Sequence, residues 1–304
     1  MTTKENSIQK SIGVFYDGNY FLHVSNYYNY VHDERKRMSI AGLHKFIRHQ
    51  AAFLEHTTPN LCQIVDSHFF RGRFTAKEAS AKENQLYYDR VFDDILMFER
   101  VITHYMPMKK VNGRITEKGT DVWFALEAYE LTVNKKFDIV VIVASDGDHV
   151  PLVRKLNALG TRVMLLSWDY EYTNDHGERS VTRTSQDLKE VASYPLNMHD
   201  LINDGLEEED PVILDLFVRL EPKEDREPIV LSTGENGKQR SEVLSMHNGF
   251  GFIIYPDNNL FFYYNDVAHP DFNELTIGDL VEFDVEVNEK GESVAKHVQL
   301  VDKS

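Results

Sequence analysis

The sequence predicts an α/β chain, a parallel β-sheet with helices on both faces, followed by a small β-barrel. Three observations carry this reading. Over roughly the first 200 residues, short apolar runs alternate with stretches of helical periodicity, the pattern of repeated strand–helix units. The clearest run, residues 139–144 (Ile139, Val140, Val141, Ile142, Val143, Ala144), is apolar without interruption, as a strand buried on both faces must be. After about residue 229 the texture changes to short alternating strands broken by Gly and Asn turns, which reads as a barrel.

Residues 12–17 form a short buried strand that ends on Asp17. A Tyr- and Asn-rich stretch follows, in which residues 26–30 offer rings either for stacking on bases or for local packing. Ile40, Leu43, Phe46, Ile47 and Leu54 repeat at helical spacing across 39–55. A second strand spans 62–70 and leads into Arg71 and Arg73; a helix covers 77–98 and a third strand 101–109. A long helix over 120–134 precedes the strand at 138–145. The next helix runs from about 149 to Leu159 and stops at Gly160, a residue suited to a helix C-terminus. Residues 161–168 add another strand. A strand order of 3-2-1-4-5 would set the first and fourth strands side by side at the switch point where open parallel sheets bind ligands. The predicted domains are 1–204, an acidic linker at 205–229 with Pro211, Pro222 and Pro228 and a short helix within it, and the barrel at 230–304.

The single cysteine, Cys62, excludes an intrachain disulfide and a Cys-rich zinc site, and reads as a small core hydrophobe in a reduced, cytoplasmic setting. The polar N-terminus does not read as a signal peptide, and no apolar run is long enough for a bilayer, so no membrane role is expected. The net charge of −16 argues against a globally basic nucleic-acid surface. Its distribution is uneven: residues 230–304 carry five Lys/Arg against thirteen Asp/Glu, while residues 1–204 are nearly neutral, at 25 against 27. Attraction to phosphate would therefore come from local basic residues or from bound metal.

Two carboxylates, Asp17 and Asp146, fall at the carboxyl ends of the first and fourth strands. Asp148 follows at the next helix start, and Asp121 opens the helix before that strand. Each alone reads as well as a helix cap or turn residue. Four together, with few counter-charges, call for a divalent cation; Mg²⁺ or Mn²⁺ prefers such hard oxygen donors and can activate water against a phosphodiester. Arg71, Arg73, Lys109, Lys110, Arg114 and Lys118 are the cations nearest these acids in the predicted layout, and could hold a phosphate backbone or face solvent.

Lys118-Gly119-Thr120-Asp121-Val122, then the run from Asp138 through Ser145-Asp146-Gly147-Asp148-His149 to Pro151-Leu152-Val153, then Leu159-Gly160, resemble the NYN domain, the PIN-like nuclease group that includes LabA-type bacterial proteins. The resemblance covers roughly residues 10–200, and Leu188 to Tyr194 is similar to the family's last strand region. It implies a PIN-like, Rossmannoid sheet and metal-binding, catalytic roles for Asp17, Asp121, Asp146 and Asp148. Asn19 occupies a supporting position after the first Asp. Glu127, where the family often has Asp, is an outer candidate, although six residues of helix separate it from Asp121 by about 600°. Tyr20 and His149 depart from the family pattern, and a lone His at a helix start reads first as structural.

In the C-terminal part, Asn248-Gly249-Phe250-Gly251-Phe252-Ile253, Leu260-Phe261-Phe262-Tyr263-Tyr264 and Gly278-Asp279-Leu280-Val281-Glu282-Phe283 resemble the cold-shock domain, an OB-type barrel, over about 230–302. Period-two alternation puts Phe250 with Phe252, and Phe261 with Tyr263, on one face each, a platform for single-stranded bases. Asn248 stands where a basic residue is usual. The combined expectation is a Mg²⁺- or Mn²⁺-dependent endoribonuclease whose last domain holds single-stranded RNA, or DNA. The alternative is a non-catalytic RNA-binding regulator. A phosphatase or receiver-like reading is weaker, because Asp17 is followed by Gly18-Asn19 and not by the second Asp of such sites. Homo-oligomerisation and a protein partner stay open.

Overall fold

The structure is a computed structural model that describes residues 9–301, apart from 83, 112–113, 174–176, 178, 220–231, 234–237, 248, 257, 270 and 289–290. The side chains of 109–116, 232–233 and 273 also lie outside the description. Asn248, the linker residues 220–229, and the side chains of Lys109, Lys110 and Arg114 therefore fall beyond it. The chain divides into two compact units, Met1–Arg219 and Leu220–Ser304.

The first unit is built on a six-stranded parallel sheet. Its strands are β1 (Lys10–Asp17), β2 (Cys62–Arg73), β3 (Ile102–Pro107), β4 (Ile139–Val143), β5 (Arg162–Ser167) and β6 (Tyr194–Asn197), in the order β6-β5-β4-β1-β2-β3. The predicted 3-2-1-4-5 order holds, with β6 added at the edge. β1 lies at the centre, with Ile12 opposite Ile139 on one side and Asp17 opposite Phe70 on the other. Every residue of β4 is buried, as its unbroken apolar sequence requires.

Alternation along the strands feeds two cores. One holds Tyr16, Phe69, Val141 and Leu166, covered by α1 (Gly18–Tyr30) and α2 (Ile40–Leu54). The other holds Phe15, Phe70, Val140 and Ile142, covered by α3 (Thr120–Lys135) and α4 (Val150–Ala158). α3 buries Phe124, Ala128 and Thr132, spaced four apart, against that face. The predicted helix at 77–98 is broken into Ala76–Ser80 and Gln85–Phe98.

Two stretches differ from the sequence expectation. The Tyr-rich segment is helical in α1, and packing accounts for two of its rings: Tyr28 is buried and Tyr27 stacks on Tyr170 at 3.8 Å between ring centres. Burial of several rings overrides the modest helix propensity of tyrosine. The first part of the expected linker is not a linker. Ile213, Leu216 and Phe217 are buried in the core beneath α2, and the backbone is held by Ser39 N to Leu216 O at 2.8 Å and Val218 N to Arg37 O at 2.9 Å. Acidic neighbours masked three core side chains that sit at a spacing too irregular to signal a long helix.

The second unit is a five-stranded closed barrel of β7 (Gln239–His247), β8 (Phe250–Ile253), β9 (Leu260–Tyr263), β10 (Leu280–Val287) and β11 (Ser293–Leu300). The pairs run β7-β8-β9-β11-β10 and close through β10 back onto β7. Val243, Ile253, Leu260, Phe262, Val281 and Phe283 fill its interior, an OB-type arrangement.

Candidate metal centre and nucleic-acid interface

Asp17 is the last residue of β1 and the N-cap of α1; its Oδ1 accepts a hydrogen bond from Tyr20 N at 3.1 Å. Gly18 lets the helix begin hard against β2, since a Cβ there would lie 2.6 Å from the Phe70 carbonyl oxygen. The next residue, Asn19, donates its side-chain amide to Glu117. Gly119, with φ +89, turns the chain into α3 and sets Asp121 in the first helical turn, where the helix dipole favours a carboxylate. Asp146 follows β4 in extended conformation and caps the turn Gly147–His149, accepting from Asp148 N at 2.9 Å. Ser185 N donates to Ser145 O at 2.9 Å and ties that turn to the following segment.

Each of Asp17, Asp121 and His149 offers a ligand atom, and these three atoms lie within 4.8 Å of one another. Asp17 is half-buried, Asp121 exposed and His149 buried. Desolvation pushes the Asp17 carboxyl up to about 6, against the hydrogen bonds from Tyr20 and Asn19 and with help from the charges of Asp121 and Glu117. Asp121 is raised too, by desolvation and then by Glu117, Asp146 and Asp148, while His149 opposes. Desolvation lowers His149 despite the pull of Asp121, Asp146 and Asp148, so its ring is neutral at physiological pH. Its Nε2 is buried with no hydrogen-bond partner. Among the described residues, the ion pairs form elsewhere and none involves Asp17, Glu117, Asp121, Asp146 or Asp148. Crowded carboxylate oxygens without a protein cation fit a hard divalent ion such as Mg²⁺ or Mn²⁺, and the neutral imidazole is a compatible donor for Mn²⁺.

On the barrel, Phe250 and Phe252 of β8 and Phe261 and Tyr263 of β9 occupy one outer face, alternating with buried Gly251, Ile253, Leu260 and Phe262. Phe250 and Phe261 are 5.6 Å apart at near-parallel tilt, Phe252 meets Phe261 edge-on at 5.6 Å, and Tyr263 meets it at 4.7 Å. His247 stacks on Phe250 at 4.7 Å and extends the surface. A groove of about 940 Å³ runs beside the platform, lined by Phe252, Tyr255, Phe261, Tyr263, Asn288 and Glu292 among others.

Residues 11–194, more than half of the chain, match the NYN domain. The chain belongs to the NYN domain family. Residues 240–301 match the 'Cold-shock' DNA-binding domain, so a nuclease-like fold and a nucleic-acid-binding module share one chain. No curated protein matches it. A crystal structure of a protein of unknown function from Vibrio parahaemolyticus aligns with 66% of this chain and 98% of its own at 17% identity and a TM-score of 0.37, a likeness that carries no argument.

The NYN unit thus gathers Asp17 and Asp121 tightly, with Asn19 alongside. Asp146 and Asp148 are exposed and close enough to act on Asp121 and His149 electrostatically, but they stand outside the tight group. Glu127 does not join it; it lies with His68 and His104. Arg71 and Arg73 face the helix Gln85–Phe98: Arg71 pairs with Asp89 at 3.3 Å and Arg73 with Asp93 at 2.6 Å. Of the six cations expected near the phosphate, three have described side chains, and among these Lys118 alone is exposed and outside the ion pairs of the described residues. Sequence reasoning missed Glu117, which adjoins the Lys118-Gly119 motif, and left His149 as structural. The cold-shock unit presents all four predicted aromatic side chains together, and His247 is the addition.

Proposed function

We propose that the chain is a metal-dependent endoribonuclease of the cytoplasm, with its cold-shock unit holding the single-stranded RNA that the NYN unit cuts. The observation that carries the reading is the convergence of Asp17 and Asp121 at a strand end and a helix start, with no protein cation paired to either among the described residues. Asp17 and Asp121 would hold the ion, with Asp146, Asp148 and His149 alongside. A bound Mg²⁺ or Mn²⁺ supplies charge stabilisation for a phosphodiester and a more acidic water. The chain's own part is positioning. Tyr20 N fixes one Asp17 oxygen. Glu117 holds the Asn19 amide, leaving its carbonyl oxygen to orient a ligand. Lys118, exposed one residue before Gly119, would be available to a phosphate backbone, and Arg71 and Arg73 brace the fold through Asp89 and Asp93.

Stacking on Phe250, Phe252, Phe261 and Tyr263 would retain single strands without a basic surface, at about 1–3 kcal/mol per base. The test is incubation of end-labelled single-stranded RNA and DNA with the purified chain in Mn²⁺, Mg²⁺ or EDTA. Internal cuts in RNA that need the metal support the proposal. Absence of cutting in every condition, with RNA binding intact, would favour a non-catalytic RNA-binding protein, a reading helped by the way Asp146 engages the backbone of its own turn.

A further inference from the structure

A second cluster of metal-ligating side chains lies under α3, deeper in the fold than the carboxylates. His68 of β2, His104 of β3 and Glu127 of α3 each offer a ligand atom, all within 4.8 Å of one another. Both histidines are buried and Glu127 is half-buried. His68 Nδ1 and His104 Nε2 are 2.9 Å apart in a hydrogen bond, so one ring donates to the other, and a metal between them would replace that shared proton, the donating ring carrying its N–H on the far nitrogen instead. The rings are wedged among aromatics: Phe15 stacks on His68 at 5.2 Å, Phe70 on His104 at 4.3 Å, and Trp123 meets His104 edge-on at 4.9 Å.

We propose that His68, His104 and Glu127 form a structural site for a borderline divalent transition metal of the zinc class, separate from the carboxylate centre. The donor set selects the metal. Two imidazoles and one carboxylate suit zinc and its neighbours, whereas Mg²⁺ favours oxygen donors and retains its waters. The spacing also fits. Nitrogens bound at about 2.0–2.1 Å are separated by about 2.9 Å at right angles around the ion and by about 3.3 Å in a tetrahedron, so little movement is required. The second nitrogen of His68 supplies an independent indication. His68 Nε2 is buried without a hydrogen-bond partner and faces Asp66 Oδ1 at 3.7 Å. A carboxylate behind the far nitrogen of a ligating imidazole orients the ring and favours the tautomer that leaves the near nitrogen free for metal. Burial lowers both histidines, His68 to about 4, so both rings are neutral and able to ligate at physiological pH.

The two centres share one helix without sharing a ligand. Asp121 and Glu127 are six residues apart in α3, about 9 Å along its axis. Phe124 lies between them, 4.7 Å from His149 on one side and 5.1 Å from Phe70 on the other. A metal on Glu127 would pin α3 to β2 and β3 and hold Asp121 steady at the other end of the same rigid element.

The experiment uses the full chain carrying both Asp17→Asn and Asp121→Asn, stripped with chelator and titrated with Zn²⁺ by calorimetry, with elemental analysis after desalting. Disabling the carboxylate centre first makes the outcome independent of whether the chain cuts RNA. One zinc ion per chain and a rise in melting temperature are expected. Adding Glu127→Gln, a half-buried change on the helix surface that leaves the core intact, should weaken zinc at least tenfold and abolish the rise. Adding His104→Asn should do the same. Co²⁺ in place of Zn²⁺ should give a visible absorption spectrum that changes in Glu127→Gln, a readout that remains available if His104→Asn fails to fold. Absence of zinc from the doubly substituted chain, or zinc binding and a Co²⁺ spectrum indifferent to Glu127→Gln, would overturn the proposal.

Discussion

The two units meet their expected ligand with opposite physics. The carboxylate end of the NYN unit crowds acidic groups together, and desolvation, with the charges of Asp121 and Glu117, makes the ionised form of Asp17 costly and holds its carboxyl up at about 6. Such a surface repels phosphate unless a cation intervenes. The aromatic face of the cold-shock unit carries four rings, in a unit with only five basic residues over 230–304. Three of its five basic residues are engaged, Arg240 with Glu282 at 2.8 Å, Lys296 with Asp266 at 2.6 Å and Lys238 with Asp284 at 3.9 Å. It can hold bases while its surroundings remain acidic. Nucleic-acid handling in a chain of net charge −16 therefore calls for two devices, a metal where the phosphate must be approached and stacking where it need not be.

The sharpest way to separate the two devices is to remove each in turn. Asp17→Asn or Asp121→Asn should lower RNA cleavage by on the order of a hundredfold or more, the consequence of losing several kcal/mol of charge stabilisation. Gel-based rates will read this, and RNA affinity in chelator should stay the same. Phe250→Ala with Phe261→Ala should do the reverse. Single-strand affinity should fall by about 2–4 kcal/mol, less than additive because the two rings touch, while cleavage of saturating RNA persists. Fluorescence anisotropy at several salt concentrations measures it, and the salt slope of the wild type should be shallow because the unit has only five basic residues, three of them in ion pairs.

A smaller effect concerns the cost of keeping Asp17 charged. Its folded value of about 6 lies above the ordinary carboxylate value near 3.9, so the native state holds a proton that the unfolded chain releases. The stability that this group contributes is whole below about pH 4 and is lost as pH rises through 6. The loss at neutral pH is about 2–3 kcal/mol. Asp17→Asn keeps the helix cap and removes the charge. In chelator it should melt above wild type at pH 7.5 and level with it at pH 4, measured by paired thermal scans.

The smallest effect on binding should come from the basic residues. Lys118→Ala should weaken RNA less than tenfold and leave melting unchanged, reducing the salt slope by about one. Arg71→Ala should instead lower the melting temperature, because Asp89 is buried and loses a partner. Side-by-side melts and anisotropy titrations distinguish the two roles.

Much of this was legible in the sequence. An unbroken apolar run as short and as rich in β-branched residues as 139–144 reads as an interior strand, and strand-end acids then follow from where open sheets bind ligands. Alternation in Phe250-Gly251-Phe252 and Phe261-Phe262-Tyr263 was sufficient to divide platform from barrel core. What escaped depended on contacts distant in the chain. Glu117 joins the site through Asn19, 98 residues away. Arg71 and Arg73 look like phosphate ligands until the helix bearing Asp89 and Asp93 is laid beside them. Ile213, Leu216 and Phe217 sit among acids, so composition pointed to a linker where packing against α2 makes a core. Glu127 has a helical phase that rules it out beside Asp121, but nothing in the sequence brings His68 and His104 to it.

The central claim, that the carboxylates at Asp17 and Asp121 act by holding a divalent ion, is most directly tested by counting bound Mn²⁺ by electron paramagnetic resonance. The count should be taken at a manganese concentration below that needed for loose surface binding, on the wild type and on the Asp17→Asn, Asp121→Asn chain. The account predicts manganese on the wild type, displaced by excess Mg²⁺, and its loss from the substituted chain. Equal binding by the two chains would contradict it.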